Sequence, residues 1–433
     1  MLPYFIHLPL LAALSFLLYQ QSADAPLKRF FFAGLAAKLL AGIALGLLYT
    51  HYYTYGGDTF AFFRDARLLA TLGRSSSLSY IHLLLFNQFP DASLPLALTY
   101  EQKMPSFFLI KLLSIINLAT YDNYWLASLY FSLFSFCGMW KLSNALVRIF
   151  PAHANAAALA FLFFPSVVFW SAGVIKESLV MGAIGLVSAA WLPYAFGQKP
   201  RLTRYLLGET FFSFLLLLVL WKLKYHYFAV YVSCIFAFGL SMLVNKKWRL
   251  ESRWAMAALL LLSFVGLISL ASTLNYNLYW YNFLEALTTN HDILYAKSLS
   301  ANRIEFHDLQ PTVLSLMQNL PLALLSGLFR PFAWEWNNIA QLLSGLENLL
   351  LLLLAFLALF YRRKKSVEPL STTAFLLALT TWLYILLLAA VLAYSTPNFG
   401  TLVRYKVAFL PFLVYMLAIC IPFPSYICRK PLY

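Results

Sequence analysis

The chain has 433 residues, of which 62% are hydrophobic and 11% are charged, and its formal net charge is +15. So few charged residues cannot cover the surface of a soluble domain of this size. The alternating pattern of a membrane β-barrel is absent. Apolar runs of about 17 to 20 residues, the length that a helix needs to cross the hydrocarbon, recur along the chain. The composition therefore predicts an all-α, polytopic membrane protein.

The apolar runs are the main structural signal, and they predict eleven transmembrane helices. The predicted spans are 3–19, 30–49, 123–141, 155–173, 178–196, 208–222, 226–244, 254–271, 344–360, 372–393 and 406–422. They form a single integral membrane domain over residues 1–433.

The basic residues are concentrated in one set of short loops, which identifies those loops as cytoplasmic. The set comprises Lys28, Arg29, Lys141, Arg148, Lys199, Arg201, Arg204, Lys246, Lys247, Arg249, Arg253, Arg362, Arg363, Lys364, Lys365, Arg429 and Lys430. This bias places the N-terminus outside and the C-terminus inside. It also makes membrane lipids, rather than nucleic acid, the expected partner of the positive charge.

The two long segments at about 50–122 and 272–343 fall on the other, extracytoplasmic side. They are rich in aromatic residues, so disorder is not expected. The stretches LSYIHLLLFNQFP and TVLSLMQNLPLALLSGLF are amphipathic or partly apolar. We expect helices that lie at the membrane interface there.

Lys38 is an exception within an early span, because it lies in the apolar stretch KLLAGIALG. Its long side chain is expected to extend toward either edge of the membrane. Gly42 and Gly46, four residues apart beside it, predict close packing against another helix.

The first polar cluster is HYYTYGGDTFAFFRDA, residues 51 to 66. Asp58 follows two glycines and precedes a short helix, so it is either an N-cap or a functional carboxylate. Asp65 lies seven residues later on the same helical face. Two such carboxylates at the membrane surface can hold a hydroxyl group, share a metal ion or act as a general base.

The second cluster is FFPSVVFWSAGVIKES, in which Pro165 is expected to kink or open a span. Gly173 can end that helix, and Lys176 and Glu177 begin the next. One interpretation is a tight hairpin with a lysine that reaches the interface. The other is a phosphate site, because a cation lies at a helix N-terminus.

Two further clusters contain charges among aromatic residues. WKLKYHY contains Lys222, Lys224 and His226, which either anchor the interface or bind phosphate. RPFAWEWNN contains Arg330 and Glu335 between tryptophans. Those tryptophans fit an interfacial belt, whereas the acid and the arginine could also contact a sugar ring.

The last cluster is TPNFGTLVRYKVAFLPF, in which Arg404 and Lys406 enter the eleventh span. A charged arginine inside a lipid-facing helix is costly unless it is paired. We therefore expect Arg404 to face the protein interior and to meet an anion, either a carboxylate of this chain or a ligand phosphate.

Three of these stretches resemble segments of GT-C-type membrane glycosyltransferases, the family 39-like group in particular. The stretches are YGGDTFAFFRDA, FFPSVVFWSAGVIKES and NFGTLVRYKVAFLPF. The resemblance implies a donor sugar on polyprenyl phosphate and an acceptor glycan, lipid or protein, at the outer face of a bacterial inner membrane. It implies no certain cofactor, although a divalent cation is compatible with the chemistry.

We name candidate residues for the chemistry that the resemblance implies. Asp58 would be the catalytic base, with Asp65 or Glu177 orienting groups or supporting it. The donor phosphate would lie against four cations, which are Arg404, Lys406, Arg330 and Lys176. Contacts to the sugar or the acceptor would come from Glu335, His226 and Lys224.

Two other functions fit the same pattern. A polysaccharide polymerase or ligase of the O-antigen type also has about a dozen spans, long external loops and external arginines, and it needs no base at Asp58. A flippase or transporter for lipid-linked sugars would move its substrate without forming a glycosidic bond. Polar groups near mid-membrane would be expected of a transporter, whereas the clusters here lie at the helix ends.

Overall fold

A computed structural model describes residues 2–22, 25–52, 57–198, 203–250, 252–274, 279–298, 302–364 and 371–422. Several residues named above lie outside the described residues, namely Lys199, Arg201, Lys365, Arg429 and Lys430. The side chains of Arg204, Arg362, Arg363 and Lys364 also lie outside them.

The described chain is helical, and its only strand-like feature is an isolated bridge between Arg303 and Asn398. The helices in chain order are α1 (Leu2–Gln21), α2 (Phe31–His51), α3 (Gly57–Ser75), α4 (Ser77–Phe86), α5 (Ser93–Ala97), α6 (Met104–Thr120), α7 (Tyr124–Ile149), α8 (Ala154–Ala158), α9 (Pro165–Phe169), α10 (Lys176–Ala195), α11 (Thr203–Leu223), α12 (Tyr225–Trp248), α13 (Arg253–Leu274), α14 (Trp280–Ala296), α15 (Val313–Phe329), α16 (Ile339–Lys364), α17 (Thr372–Ser395), α18 (Phe399–Tyr405) and α19 (Leu410–Ala418).

Seven helices in the described residues are long and apolar enough to cross a membrane, which supports the multi-pass architecture. They are Leu2–Gln21, Lys28–His51, Lys176–Ala195, Tyr225–Trp248, Arg253–Leu270, Ile339–Tyr361 and Thr372–Ser395. The number rises to nine if α6 with α7, and α18 with α19, each form one bent span. Eleven spans are therefore not confirmed.

The predicted span 155–173 is interrupted rather than continuous. After α8 the chain forms a π-helical turn at Leu159–Phe163, Phe164 is extended, and Pro165 begins the short helix α9. Proline lacks an amide hydrogen and disfavours helical geometry in the residue before it, so a break at this point follows from the sequence. The expected disruption at Pro165 is confirmed.

The chain divides into two compact units. Unit 1 contains residues 1–151, 168–192 and 200–225, and unit 2 contains residues 152–167, 193–199 and 226–433.

In unit 1, helices α2 and α7 pack closely at Gly42 and Gly46. A side chain at position 42 would collide with Ser132, and one at position 46 would collide with Trp125 and Tyr124. The Ser128 hydroxyl donates a hydrogen bond to the carbonyl oxygen of Gly42 at 3.0 Å. The close packing expected at these glycines is confirmed.

Lys38 does not extend to the edge of the membrane, so that expectation was wrong. The side chain is buried, and its ammonium group donates to the carbonyl oxygen of Val168 at 3.3 Å and to the hydroxyl of Ser171. Two hydrogen-bond acceptors within unit 1 offset the cost of removing the ammonium group from water. A lysine that faced lipid could avoid this cost only by extending its side chain to water.

Helices α7 and α10 meet at three glycines in unit 1. A Cβ atom on Gly138 would overlap the backbone of Gly182, and one on Gly185 would overlap the backbone of Gly138. Backbones that approach this closely leave no room for a methyl group, and close helix contacts in membranes depend on such small residues.

We expect Gly138→Ala to destabilise the protein by about 1–3 kcal/mol, because the two helices must move apart. Gly239→Ala is the matched control, because a Cβ atom at that position in α12 meets nothing within 4 Å. Thermal unfolding in detergent compares the two variants. Equal midpoints would mean that α7 and α10 are not in this close contact.

Helices α3, α4 and α6 form a layer in unit 1, and they pack through contacts distributed along their lengths. Tyr80 of α4 hydrogen-bonds Ser114 of α6 at 2.8 Å, and Gly73 of α3 packs against Leu118 of α6. Arg74 donates to Asp122, which follows α6, at 2.7 Å. The layer fills most of the segment 50–122 and contains helices there, as the sequence predicts.

Candidate functional site

The N-terminal end of α3 presents the carboxylate that the sequence singles out. The helix begins at Gly57, whose φ is +53°, and Asp58 lies exposed in its first turn. Asp58 Oδ1 accepts a hydrogen bond of 2.8 Å from the Tyr100 hydroxyl. The carboxylate is thus accessible to solvent and oriented by a neighbouring side chain.

Asp65 lies on the same helix but is buried. Its Oδ2 atom accepts hydrogen bonds from the backbone amides of Thr99 at 2.9 Å and Tyr100 at 3.0 Å. Asp65 therefore fixes the backbone of the residue whose hydroxyl group contacts Asp58. These contacts favour a positioning role for Asp65 over direct contact with a substrate.

Lys176 approaches the same region from the start of α10. A turn in which Gly173 has a φ of +72° precedes it, so the expected boundary between helices is confirmed. The Lys176 ammonium group donates to the Ser106 hydroxyl at 2.8 Å and lies 5.6 Å from the centre of the Phe62 ring. Phe62 lies one turn after Asp58 on α3, and its ring is 4.9 Å from that of Tyr100.

Thr59 ties the start of α3 to the segment that carries Lys176. Its hydroxyl group donates to the carbonyl oxygen of Val174 at 2.8 Å and lies 2.9 Å from the Tyr124 hydroxyl. All of these residues belong to unit 1. We call Asp58, Phe62, Asp65, Tyr100, Ser106 and Lys176 the Asp58 cluster.

Glu177 and Lys224 form a buried ion pair beside this cluster. Their charged groups are 3.5 Å apart, and their side chains are 0% and 7% exposed. In this structure Lys224 is thus buried against a carboxylate of the chain, and a sugar or acceptor contact by Lys224 remains a prediction. The sequence analysis did not predict this pair, because Glu177 lies 47 residues before Lys224 in the chain.

In unit 2, the structure brings together Arg330, Glu335 and Lys406. Arg330 pairs with Glu335 at 2.6 Å, and Glu335 also accepts a hydrogen bond of 2.8 Å from the amide of Phe332. Trp334 and Trp336 on the same turn are exposed, as residues of an interfacial belt would be.

Lys406 is buried and donates to the carbonyl oxygen of Arg330 and to Asn348 Oδ1, each at 3.2 Å. The Asn348 amide group in turn donates to the carbonyl oxygen of Pro331 at 2.9 Å. These contacts favour a structural role for Lys406, which connects the turn at Arg330 to α16 and α18.

Arg404 and His226 also lie in unit 2. Arg404 is buried, as the sequence predicts, and its guanidinium group lies 6.0 Å from the centre of the Tyr405 ring. The His226 ring lies 4.6 Å from that of Tyr227, whose hydroxyl group donates to the carbonyl oxygen of Tyr405 at 3.2 Å. A phosphate role for Arg404 and a sugar contact for His226 remain predictions.

Sequence reasoning missed Tyr100, Ser106, Glu347 and Asn348. Tyr100 and Ser106 stand in ordinary loop and helix-start sequence that carries no signal. Glu347 and Asn348 could have been found, because two polar residues interrupt the apolar run of α16. Glu347 accepts hydrogen bonds from the amide of Ser166 at 3.0 Å and from its hydroxyl at 2.6 Å, and it thus caps the start of α9.

Within the described residues, no three His, Cys, Asp or Glu side chains are grouped as metal ligands. We therefore name no residues for a divalent cation. No family model matches the chain, and comparisons with curated proteins and with solved structures gave no match.

Proposed function

We propose that this protein is a membrane glycosyltransferase that transfers a sugar from a polyprenyl-phosphate donor to an acceptor at the extracytoplasmic surface. The observation that supports the proposal most is the Asp58 cluster. It combines an exposed, oriented carboxylate with a cation at a helix N-terminus. A sugar transfer of this kind needs a base for the acceptor and a positive charge for the leaving phosphate.

In the proposed reaction, Asp58 removes the proton from an acceptor hydroxyl group as its oxygen attacks the anomeric carbon of the donor sugar. The bond between that carbon and the phosphate oxygen breaks, and polyprenyl phosphate leaves with the bonding electron pair. Direct displacement inverts the configuration at the anomeric carbon. The Tyr100 hydroxyl donates to Oδ1 of Asp58 and so orients the carboxylate that takes the proton.

Lys176 is the residue of unit 1 that suits the leaving phosphate. It begins α10, where free backbone amides and the helix dipole favour an anion. Its hydrogen bond to Ser106 and its position over the Phe62 ring hold the ammonium group in place. A fixed cation near the developing negative charge lowers the barrier, because it does not need to reorganise during the reaction.

The test is to incubate the purified protein in lipid with a panel of polyprenyl-phosphate sugars and candidate acceptors. Release of polyprenyl phosphate, measured by mass spectrometry, together with a new glycosidic product supports the proposal. Product formed only from pyrophosphate-linked glycans would favour the polymerase or ligase. Transfer of the donor across proteoliposomes, without a new bond, would favour the flippase.

We expect Tyr100→Phe to lower kcat with little change in KM, because the variant keeps the ring but cannot orient Asp58. A hydrogen bond to a charged group contributes about 1.5–3 kcal/mol, which corresponds to roughly a 10- to 100-fold slower reaction. Steady-state kinetics and a melting curve measure the effect. A wild-type kcat in a folded variant would remove Tyr100 from the mechanism.

A further inference from the structure

Helix α4 exposes an apolar stripe of four large side chains, with the exposed His82 among them. Leu78, Ile81, Leu85 and Phe86 are between 47% and 69% exposed. Their spacing of three, four and one residues places them on one face of the helix. Large apolar side chains grouped in this way on a short helix indicate an interaction surface, whereas single exposed apolar residues do not.

The opposite face of α4 is fixed to the protein, so the stripe cannot turn inward. Leu83 is buried, and Tyr80 hydrogen-bonds Ser114 of α6. Lys111 of α6 donates to the carbonyl oxygen of Leu84 at 2.9 Å and to the side chain of Asn87, which ends α4. The exposed stripe therefore points away from α6.

Helix α6, on which α4 packs, is strongly inclined to α7, the next helix in the chain. The axes of α6 and α7 differ by 119°, so α6 neither continues α7 nor folds back along it. Helix α4 has only 10 residues, which is too short to cross the hydrocarbon and suits a position at the membrane surface.

Helix α3, which packs beside α4, carries a basic stripe. Arg64, Arg67 and Arg74 occur at a spacing of three and seven residues and are exposed, so they share one face. One carboxylate, that of Asp122, lies 3.8 Å from Arg67 and 2.7 Å from Arg74. Arg67 and Arg74 share this one acid, so together they carry more positive charge than it neutralises.

We propose that α3 and α4 together form a surface that binds anionic phospholipid. The apolar stripe of α4 inserts among the acyl chains just below the headgroups, and the arginines of α3 bind the lipid phosphates. A lipid surface fits better than a protein partner, because the same chain crosses the membrane at the adjoining helices and guanidinium groups complement phosphate. The inference does not depend on the proposed reaction.

Spin labels on single cysteines test the position of α4. Leu78→Cys, Ile81→Cys and Leu85→Cys are prepared in a background without native cysteines, and Thr71→Cys on α3 is the polar control. In phosphatidylcholine nanodiscs, we expect the three α4 labels to collide mainly with oxygen and the control mainly with a water-soluble nickel chelate. Nickel-dominated collisions at positions 81 and 85 would overturn the insertion of α4.

Thermal unfolding tests the basic stripe. We expect the melting temperature of the wild type to rise when phosphatidylglycerol replaces part of the phosphatidylcholine, and Arg64→Gln/Arg67→Gln to lose most of that rise. Lys297→Gln, an exposed site in unit 2, is the control and should keep the rise. Glycerol phosphate in neutral nanodiscs should have no effect if the ligand is a lipid surface, and an equal rise with it would assign the stripe to free phosphate.

An unchanged rise in the double variant would contradict the assignment to Arg64 and Arg67. Added salt should weaken the lipid effect in the wild type, because interactions between exposed charges are screened.

Discussion

Asp58→Asn is expected to abolish sugar transfer without unfolding the protein. Asparagine keeps an oxygen that can accept the hydrogen bond from Tyr100, so the contact between α3 and Tyr100 is retained. It cannot take a proton from the acceptor hydroxyl group. Loss of a general base slows a reaction by about 10²- to 10⁴-fold. Release of polyprenyl phosphate, followed by mass spectrometry, measures the loss.

Asp91→Asn is the matched control in the same segment. Hydrogen bonds from the Ser93 hydroxyl and from the amides of Leu94 and Ser93 lower the pKa of Asp91, so it is ionised at neutral pH. Removing that exposed charge should leave the transfer rate unchanged. A similar loss in both variants would point to the overall charge of the segment rather than to a base.

The outcome also separates the competing functions. A polymerase or ligase that binds pyrophosphate through arginines needs no base at Asp58, and it should retain much of its activity in Asp58→Asn. A flippase should retain its transport activity. Full activity of the variant in a sugar-transfer assay would reject the mechanism while leaving the membrane fold unaffected.

The hydropathy pattern predicted the helical membrane architecture. Unpaired backbone amide and carbonyl groups are costly in lipid, and a helix crosses the membrane with these groups hydrogen-bonded to one another. The eleven predicted spans are not confirmed, because apolar composition does not always mean a continuous helix. In 155–173 the break follows from Pro165 and from Glu347, which caps the start of α9 from a distant helix. The apolar length of a segment gives no information about such a contact with a residue far away in the sequence.

The candidate site was predictable in its charged residues but not in its contacts. Asp58 and Lys176 stood out because each is a charged residue close to glycine at the boundary between apolar segments. Tyr100 and Ser106 did not, since they lie 42 and 70 residues from the partners that they bind. The surroundings of Lys38 were misjudged for the same reason, because a lysine within an apolar run gives no sign of whether an acceptor lies inside the protein.

Loss of one partner of the buried ion pair of Glu177 and Lys224 is expected to lower the stability of the protein strongly. Lys224→Met should destabilise the protein by about 3–5 kcal/mol, because it removes the ammonium group beside a fully buried carboxylate. Lys222→Met is the matched control, since Lys222 is exposed in the last turn of α11, two residues before Lys224. Unfolding in mixed detergent micelles compares the two, and the control should remain close to the wild type.

The double variant Glu177→Gln/Lys224→Met distinguishes a missing charge partner from lost packing. If the loss of the opposite charge is the cause, neutralising Glu177 restores most of the stability, because replacing a buried pair by neutral groups is often tolerated. If the lysine stem supplied mainly packing, the double variant stays as unstable as Lys224→Met. Equal stability of Lys224→Met and Lys222→Met would mean that the buried pair is absent. The pair would then not hold the start of α10, which carries Lys176.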